Sequence, residues 1–139
     1  MSNSFHDFNS NLVKDIRAHG KPTSGPFLGR DVLVLSTKGA KSGELRETPL
    51  VYTRDNQHHV IVASKGGAPQ HPGWYRNLLA NPEVEVQVGT KKVKARARTA
   101  TGAERAKLWQ EALKFWPPYA DYQKKTEREI PVVVLDPVR

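Results

Sequence analysis

Three stretches of this sequence carry residue types that could bind or act on a small molecule. In TKGAKSGELRETPL, residues 37–50, Lys38, Lys41 and Arg46 surround two glycines and Ser42. Backbone N–H groups of a glycine-containing turn, joined by cationic side chains, suit phosphate or carboxylate. A solvated basic turn is the plainer reading, and the order is not that of a Walker loop. In ASKGGAPQHPGWYRNL, residues 63–78, paired glycines follow a strand-like run, with Lys65 beside them and Trp74, Tyr75 and Asn77 just beyond. Adjacent glycines signal special dihedrals or close backbone approach. An aromatic and an amide beside such a loop could stack on and hydrogen-bond a planar ring, whereas Trp74 and Leu78, spaced i, i+4, could equally be core anchors. In FWPPYADYQ, residues 115–123, Trp116, Tyr119 and Tyr122 recur every three residues. That spacing predicts one face of a tight helical turn, able to close over an apolar planar ligand or simply to pack on the core.

Other chemistries lack their parts. With no cysteine in the chain, disulfides, thiolate metal sites, iron–sulfur clusters and cysteine nucleophiles are excluded. The five histidines show no HxxxH spacing, so no metal site is expected. There is no GxSxG elbow, and the carboxylates are scattered among Lys and Arg. So little acid–base equipment points to a cofactor that carries the hard chemistry. The strongest nucleic-acid candidate is KKVKARAR, residues 91–98, with Lys92, Lys94, Arg96 and Arg98 in one outward row. It lacks interleaved aromatics for base stacking, so a solvated or edge-protecting strand face is the better reading.

The elements that must position these residues follow from periodicity. Phe5, Phe8, Leu12 and Ile16 predict a helix ending near Gly20, followed by a Gly/Pro-rich loop. Strands are expected over Asp31–Thr37, Leu45–Thr53 and His59–Ser64, with Arg54 to Gln57 as a turn and Pro49 demanding a sheet edge or bulge. A short helix from about Pro72 to Ala80 precedes a hairpin in which Val84, Val86 and Val88 alternate with Glu85 and Gln87, and Val93, Ala95 and Ala97 with the basic row. Thr101 and Glu104 read as a capping box for a helix to about Phe115, and Ile130–Leu135 as a last buried strand. Hairpins dominate and no βαβ rhythm occurs. The expected fold is mainly β (α+β): an antiparallel sheet of about six strands curled into a barrel, helices outside.

The chain's 139 residues suit one domain. No apolar run approaches a membrane span, and the start MSNSFHDFNS lacks the look of a secretion signal, so a cytoplasmic location is the default. Lys and Arg outnumber Asp and Glu 22 to 14, and the net charge of +8 favours an anionic partner.

Taken in order, LSTKGAKSGELRETPL, VIVASKGGAPQHPGWYRNLLANPEVEV, RARTATGAERAKLWQ and PPYADYQKKTEREIPVVVL resemble the deazaflavin-dependent nitroreductase family. The resemblance implies a split β-barrel over residues 31–139, with an N-terminal helix and loop over 1–30. It also implies coenzyme F420, an 8-hydroxy-5-deazaflavin bearing a phosphate and an oligoglutamate tail, which passes hydride to an electron-poor quinone, enone or nitro compound. By similarity Lys41, Ser42 and Arg46 would hold the phosphate and tail. Pro49 and Leu50 would lie beside the ring, Ala63, Ser64 and Lys65 along it, and Gly73, Trp74, Tyr75 and Asn77 along its other contacts. Tyr119 and Tyr122 match tyrosines covering the family's substrate pocket, and Ser64 a serine facing the substrate; Ser64, Tyr119 and Tyr122 are the candidates for polarising the acceptor or relaying a proton. Val51 and Trp116 stand at substrate-side positions where the best-known member has tyrosine. The family's membrane-associating N-terminal helix is not matched, although peripheral membrane contact and homodimer formation stay open. The rival readings are an FMN- or haem-binding split barrel and, in another class, a basic nucleic-acid-binding module.

Overall fold

A single residue, Tyr52, carries the chain from one edge of its β-sheet to the other. The computed structural model describes residues 4–55 and 58–138. Within them β1 (Val32–Lys38), β2 (Leu45–Val51), β3 (Thr53–Asp55), β4 (His58–Val62), β5 (Glu83–Val88), β6 (Lys91–Thr99) and β7 (Val132–Pro137) form one antiparallel sheet in the order β2-β1-β5-β6-β7-β4-β3. Because β2 and β3 lie at opposite ends of that order yet are joined by Tyr52, the sheet must curl until its edges meet. The strand expected over 45–53 is therefore two strands, and the sheet has seven. Tyr52, whose N–H donates to the Asp31 carbonyl at 3.3 Å, turns inward as a buried corner. Of the turn expected at 54–57, Asn56 and Gln57 lie outside the described residues.

Period-2 patterning decides the interior. Leu33, Leu35, Ile61, Val84, Val86, Ala95, Ala97, Val133 and Leu135 point into the barrel and pack with Tyr52, Trp74, Tyr75 and Leu78. β1 is buried on both faces, because α1 (Ser4–His19) lays Leu12, Val13 and Ile16 over the outward Val32 and Val34. On the other flank, α3 (Gly102–Phe115) covers Val60, Val132 and Val134 with Leu108. Pro49 sits on edge strand β2, opposite Val34 of β1, where its missing N–H leaves no neighbour unserved.

Two local expectations give way to tertiary contacts. Gln87 is buried rather than outward, since the end of α1 covers it and its amide donates to the carbonyls of Ile16 (3.1 Å) and Gly89 (3.0 Å). Thr101 stands at the N-cap of α3, but no side-chain cap forms there; Glu104 pairs instead with Arg98, which also holds Asp136 at 2.7 Å. That pairing removes Arg98 from the basic row. In the rest of the row, Lys94 and Arg96 stand opposite Glu85 and Glu83 in the β5–β6 register, and Lys92 opposite Gln87. No helix among the described residues is long and apolar enough to cross a membrane.

Candidate functional site

Where the curled sheet opens, four parts of the chain enclose a groove of about 690 Å³. Edge strand β2 contributes Arg46, Thr48, Pro49 and Leu50; Arg46, Thr48 and Leu50 alternate onto one face. The end of β4 contributes Val62, and the turn after it contributes Ser64 and Lys65. The start of α2 (Gly73–Ala80) contributes Pro72, Gly73, Trp74 and Asn77. Asn9, Leu12 and Phe27 form the remaining wall. These last three, with Thr48, Val62 and Pro72, escape a reading by motif. Leu12 looks like any apolar position of an amphipathic helix, and only folding places α1 beside β2.

The glycine loop has the special backbone that its sequence predicts. After Val62 the chain makes a one-turn 3-10 helix, η1 (Lys65–Gly67), in which Lys65 takes a left-handed φ of +46° and Gly67 one of +84°. A Cβ at Gly67 would lie 2.6 Å from the Tyr122 carbonyl oxygen, so glycine is what lets η1 seat against α4 (Pro118–Lys124). α2 starts at Gly73 behind Pro72, which supplies no side-chain cap; its carbonyl accepts from the N–H groups of Tyr75 at 3.1 Å and Arg76 at 3.4 Å. Trp74 and Leu78 are both buried and anchor α2 in the barrel.

Asn77 joins two of the predicted segments. Its Oδ1 accepts from Ala40 N–H at 3.0 Å and its Nδ2 donates to Thr37 Oγ1 at 3.2 Å, tying the basic turn to α2. On that turn Lys38, Lys41 and Ser42 are exposed, and Ser42 Oγ accepts from Glu44 N–H at 3.1 Å. Arg46 is exposed and makes a loose ion pair to Glu44 at 3.4 Å.

Thus the groove gathers Arg46, Pro49, Leu50, Ser64, Lys65, Gly73, Trp74 and Asn77 of the predicted set. Others back it or stand apart. Ala63 is fully buried behind Ser64. Tyr75 is buried too, with its hydroxyl 2.8 Å from Thr99 Oγ1. Val51 faces outward and packs with the α1 cluster. Trp116 is not on a helical turn with the tyrosines: it caps α3 in an open conformation (φ −139°, ψ 82°), with the Arg30 guanidinium 5.1 Å from its ring centre. Proline at 117 and 118 separates the two helices there. Tyr119 and Tyr122 do share α4, edge to face at 6.1 Å. Burial, and then the neighbouring Tyr122, push the Tyr119 hydroxyl well above the ordinary tyrosine range, so it stays protonated at neutral pH.

His71 is held neutral. Burial first, then Arg128 and Arg76, lower its pKa, and Arg128 Nη1 lies 3.1 Å from its Nδ1. A guanidinium only donates, so Nδ1 accepts and the proton is on Nε2. The unfolded chain binds that proton more readily than the folded one. The stability so gained is complete above the usual pH 6.5 and is lost as pH falls through the lower folded value. His71→Gln is therefore expected to flatten the fall in Tm between about pH 6.5 and 5 relative to wild type, measured by thermal melts; His59, lowered mainly by burial, leaves a residual slope in both proteins.

A seven-stranded antiparallel sheet curled on itself at Tyr52, with helices outside, is a split barrel. The family described as F420H(2)-dependent quinone reductase matches residues 10–137, and the chain belongs to it: it is an oxidoreductase whose reductant is F420H2. An F420H(2)-dependent quinone reductase of Mycobacterium tuberculosis (strain ATCC 25618 / H37Rv) is 48% identical over 110 residues, 74% of this chain and 71% of its own length. The solved F420-H2-dependent reductase FDR-A is 46% identical, with a TM-score of 0.71 over 77% of this chain and 95% of that one. A chain solved as a domain-swapped dimer is 41% identical, with a TM-score of 0.73 over 94% of this chain and 98% of that one. At 12% and 15% identity, further solved chains share the fold alone, with TM-scores of 0.56 and 0.55.

Proposed function

We propose that this chain binds F420 along the groove and passes its hydride to a quinone seated beside it. The observation that carries this reading is the make-up of the groove: an apolar lining, with Pro49, Leu50, Val62 and Trp74, joined by the cations Arg46 and Lys65. Its volume falls in the range of cofactor and ligand sites. A planar ring with an anionic appendage fits that division, ring on the apolar wall and appendage toward the basic turn.

Arg46, with Lys41 and Ser42 on that turn, would hold the phosphate and glutamate tail, and Asn77 keeps the turn beside α2. Leu50, Pro49 and Trp74 would flank the ring, while Gly73, Ser64 and Lys65 approach its edge and Ala63 and Tyr75 support them from behind. When bound, reduced deazaflavin supplies a hydride equivalent. The protein's part is to orient the two reactants and exclude water between them. α4 packs on η1 through Tyr122 at Gly67, which suits Tyr119 and Tyr122 to the acceptor side, whereas Val51 packs under α1 and Trp116 against Arg30. Tyr119, held protonated, would donate to a quinone oxygen as negative charge develops there. Tyr119→Phe combined with Tyr122→Phe is expected to lower kcat/KM for quinone by about tenfold or more with F420 affinity unchanged; unaltered kcat/KM would remove both hydroxyls from the reaction.

Charge reversal tests the tail site. Lys41→Glu with Arg46→Glu is expected to weaken F420 binding about 100-fold at low salt, and far less for a deazaflavin stripped of its tail, with the wild-type advantage shrinking as salt rises. The reaction itself is checked by anaerobic mixing of F420H2, chain and menadione: the return of oxidised F420 absorbance supports the proposal, and its absence beside proven binding would leave a carrier without turnover. A cytoplasmic location and pairing into a homodimer are part of the same reading, the latter supported by the relative solved as a domain-swapped dimer.

A further inference from the structure

Arg128 lies in the stretch PPYADYQKKTEREIPVVVL but among none of the candidate site residues, yet its guanidinium bonds the backbone on both sides of the glycine loop. Its Nη2 donates to the Ser64 carbonyl at 2.7 Å, its Nε to the Ala68 carbonyl at 2.9 Å, and its Nη1 to the Ala63 carbonyl at 3.1 Å and to His71 Nδ1 at 3.1 Å. Ser64 and Ala68 immediately flank η1. Inside that span Lys65 holds a left-handed φ of +46°, a conformation that costs an L-residue energy and persists only where the surroundings enforce it. The internal bonds of the turn are few: Gly67 N–H to Ser64 O at 2.9 Å and Ala68 N–H to Lys65 O at 3.1 Å. Among the described residues no carboxylate pairs with Arg128. Its charge is committed to carbonyls and one imidazole, and burial lowers its pKa accordingly.

The brace is fixed at its own end as well. Arg128 N–H donates to Thr126 Oγ1 at 3.3 Å, and its carbonyl accepts from Gln123 Nε2 at 2.8 Å. Gln123 Oε1 in turn accepts from Ile130 N–H at 3.0 Å. Gln123 lies on α4, so α4 steadies Arg128 and Arg128 steadies the loop against which α4 packs.

We propose that Arg128 is a positioning residue, whose guanidinium clamps the carbonyls on both sides of the left-handed turn at Lys65 and thereby holds the Ser64 and Lys65 side chains toward the ligand in the groove. This rests on the reading that the groove holds F420. A lysine keeps the charge but has no fork, so it cannot span Ser64 and Ala68 together.

The test compares wild type with Arg128→Lys and Arg128→Ala by amide hydrogen exchange in the ligand-free protein and by F420 fluorescence titration. In Arg128→Lys, exchange at Gly67 and Ala68 is expected to quicken about tenfold or more while β1, β5 and β7 keep their protection, and F420 affinity is expected to fall about tenfold. Lys65→Met, expected to weaken binding in wild type, is expected to add little in the Arg128→Lys background, because the Lys65 ammonium is already misplaced there. Unchanged exchange at Gly67 and Ala68, or F420 affinity within twofold of wild type, would overturn the proposal. So would loss of protection across the whole sheet in both variants, which makes Arg128 a general fold residue. Should wild type itself take up no F420, the functional reading fails on its own, and the exchange comparison still decides whether the clamp exists.

Discussion

Gly73→Phe is expected to fold and melt like wild type and to bind no measurable F420. Gly73 lies at the first position of α2, exposed, with nothing within 4 Å of where its Cβ would be, and it lines the groove. A Cβ added there meets neither backbone nor core, and a phenylalanine ring extends from it at an exposed position that lines the groove. It occupies the space assigned to the ring, between the start of α2 and Pro49–Leu50 of β2. Few substitutions separate binding from stability so cleanly: most changes at Trp74 or Leu50 also disturb barrel packing, since both belong to or touch the interior cluster. The prediction is a loss of affinity of at least about 100-fold, equivalent to about 3 kcal/mol, with Tm shifted by no more than a few degrees. Titration and a thermal melt on the same sample check it. Retained micromolar binding would mean that the ring lies elsewhere.

Gly67→Ala is expected to do the reverse and damage the fold locally before anything else. At φ +84° an alanine is strained, and its Cβ would stand 2.6 Å from the Tyr122 carbonyl oxygen and 3.0 Å from Tyr122 Cα, which are backbone atoms that cannot rotate away. Either η1 or α4 must retreat. The strain and the forced shift together are worth about 3 kcal/mol, or roughly 10 °C in Tm for a chain of this length. Because Lys65 and Ser64 belong to the same turn, F420 affinity should fall as well. Thermal melts and exchange at Gly67 and Ala68 measure both effects; a Tm within about 2 °C of wild type would mean that the contact between η1 and α4 is loose.

How much of this was legible in the sequence depended on whether local pattern or tertiary closure set each feature. The β5–β6 hairpin follows from strict alternation about Gly89, and α2 follows from Pro72 and the Trp74–Leu78 stripe; both are local and both could be read. The glycine loop could be read as special backbone, since only glycine tolerates the place of Gly67. The break at Tyr52 could not: Val51-Tyr52-Thr53 is good strand sequence, and the corner exists only because the sheet closes on itself. Glu104 has the spacing of a capping partner, but Arg98 lies across from it and a charged pair displaces the cap. Trp116 misled through its period of three, because a diproline interrupts the helix within that spacing. Arg128 was invisible for a plain reason: its acceptors lie 57 to 65 residues away in the chain, and nothing in EREIP distinguishes it from the surface arginines around it.

All of this depends on the groove between β2, η1 and α2 being a deazaflavin site. The most direct measurement is a side-by-side equilibrium titration of the purified chain with F420, FMN and haem at low salt, run with Gly73→Phe as the blocked control. The expected result is saturable quenching of F420 fluorescence at micromolar or tighter concentration, abolished by the substitution, with FMN and haem bound far more weakly. No F420 uptake at tens of micromolar, or tighter binding of FMN or haem, would contradict it.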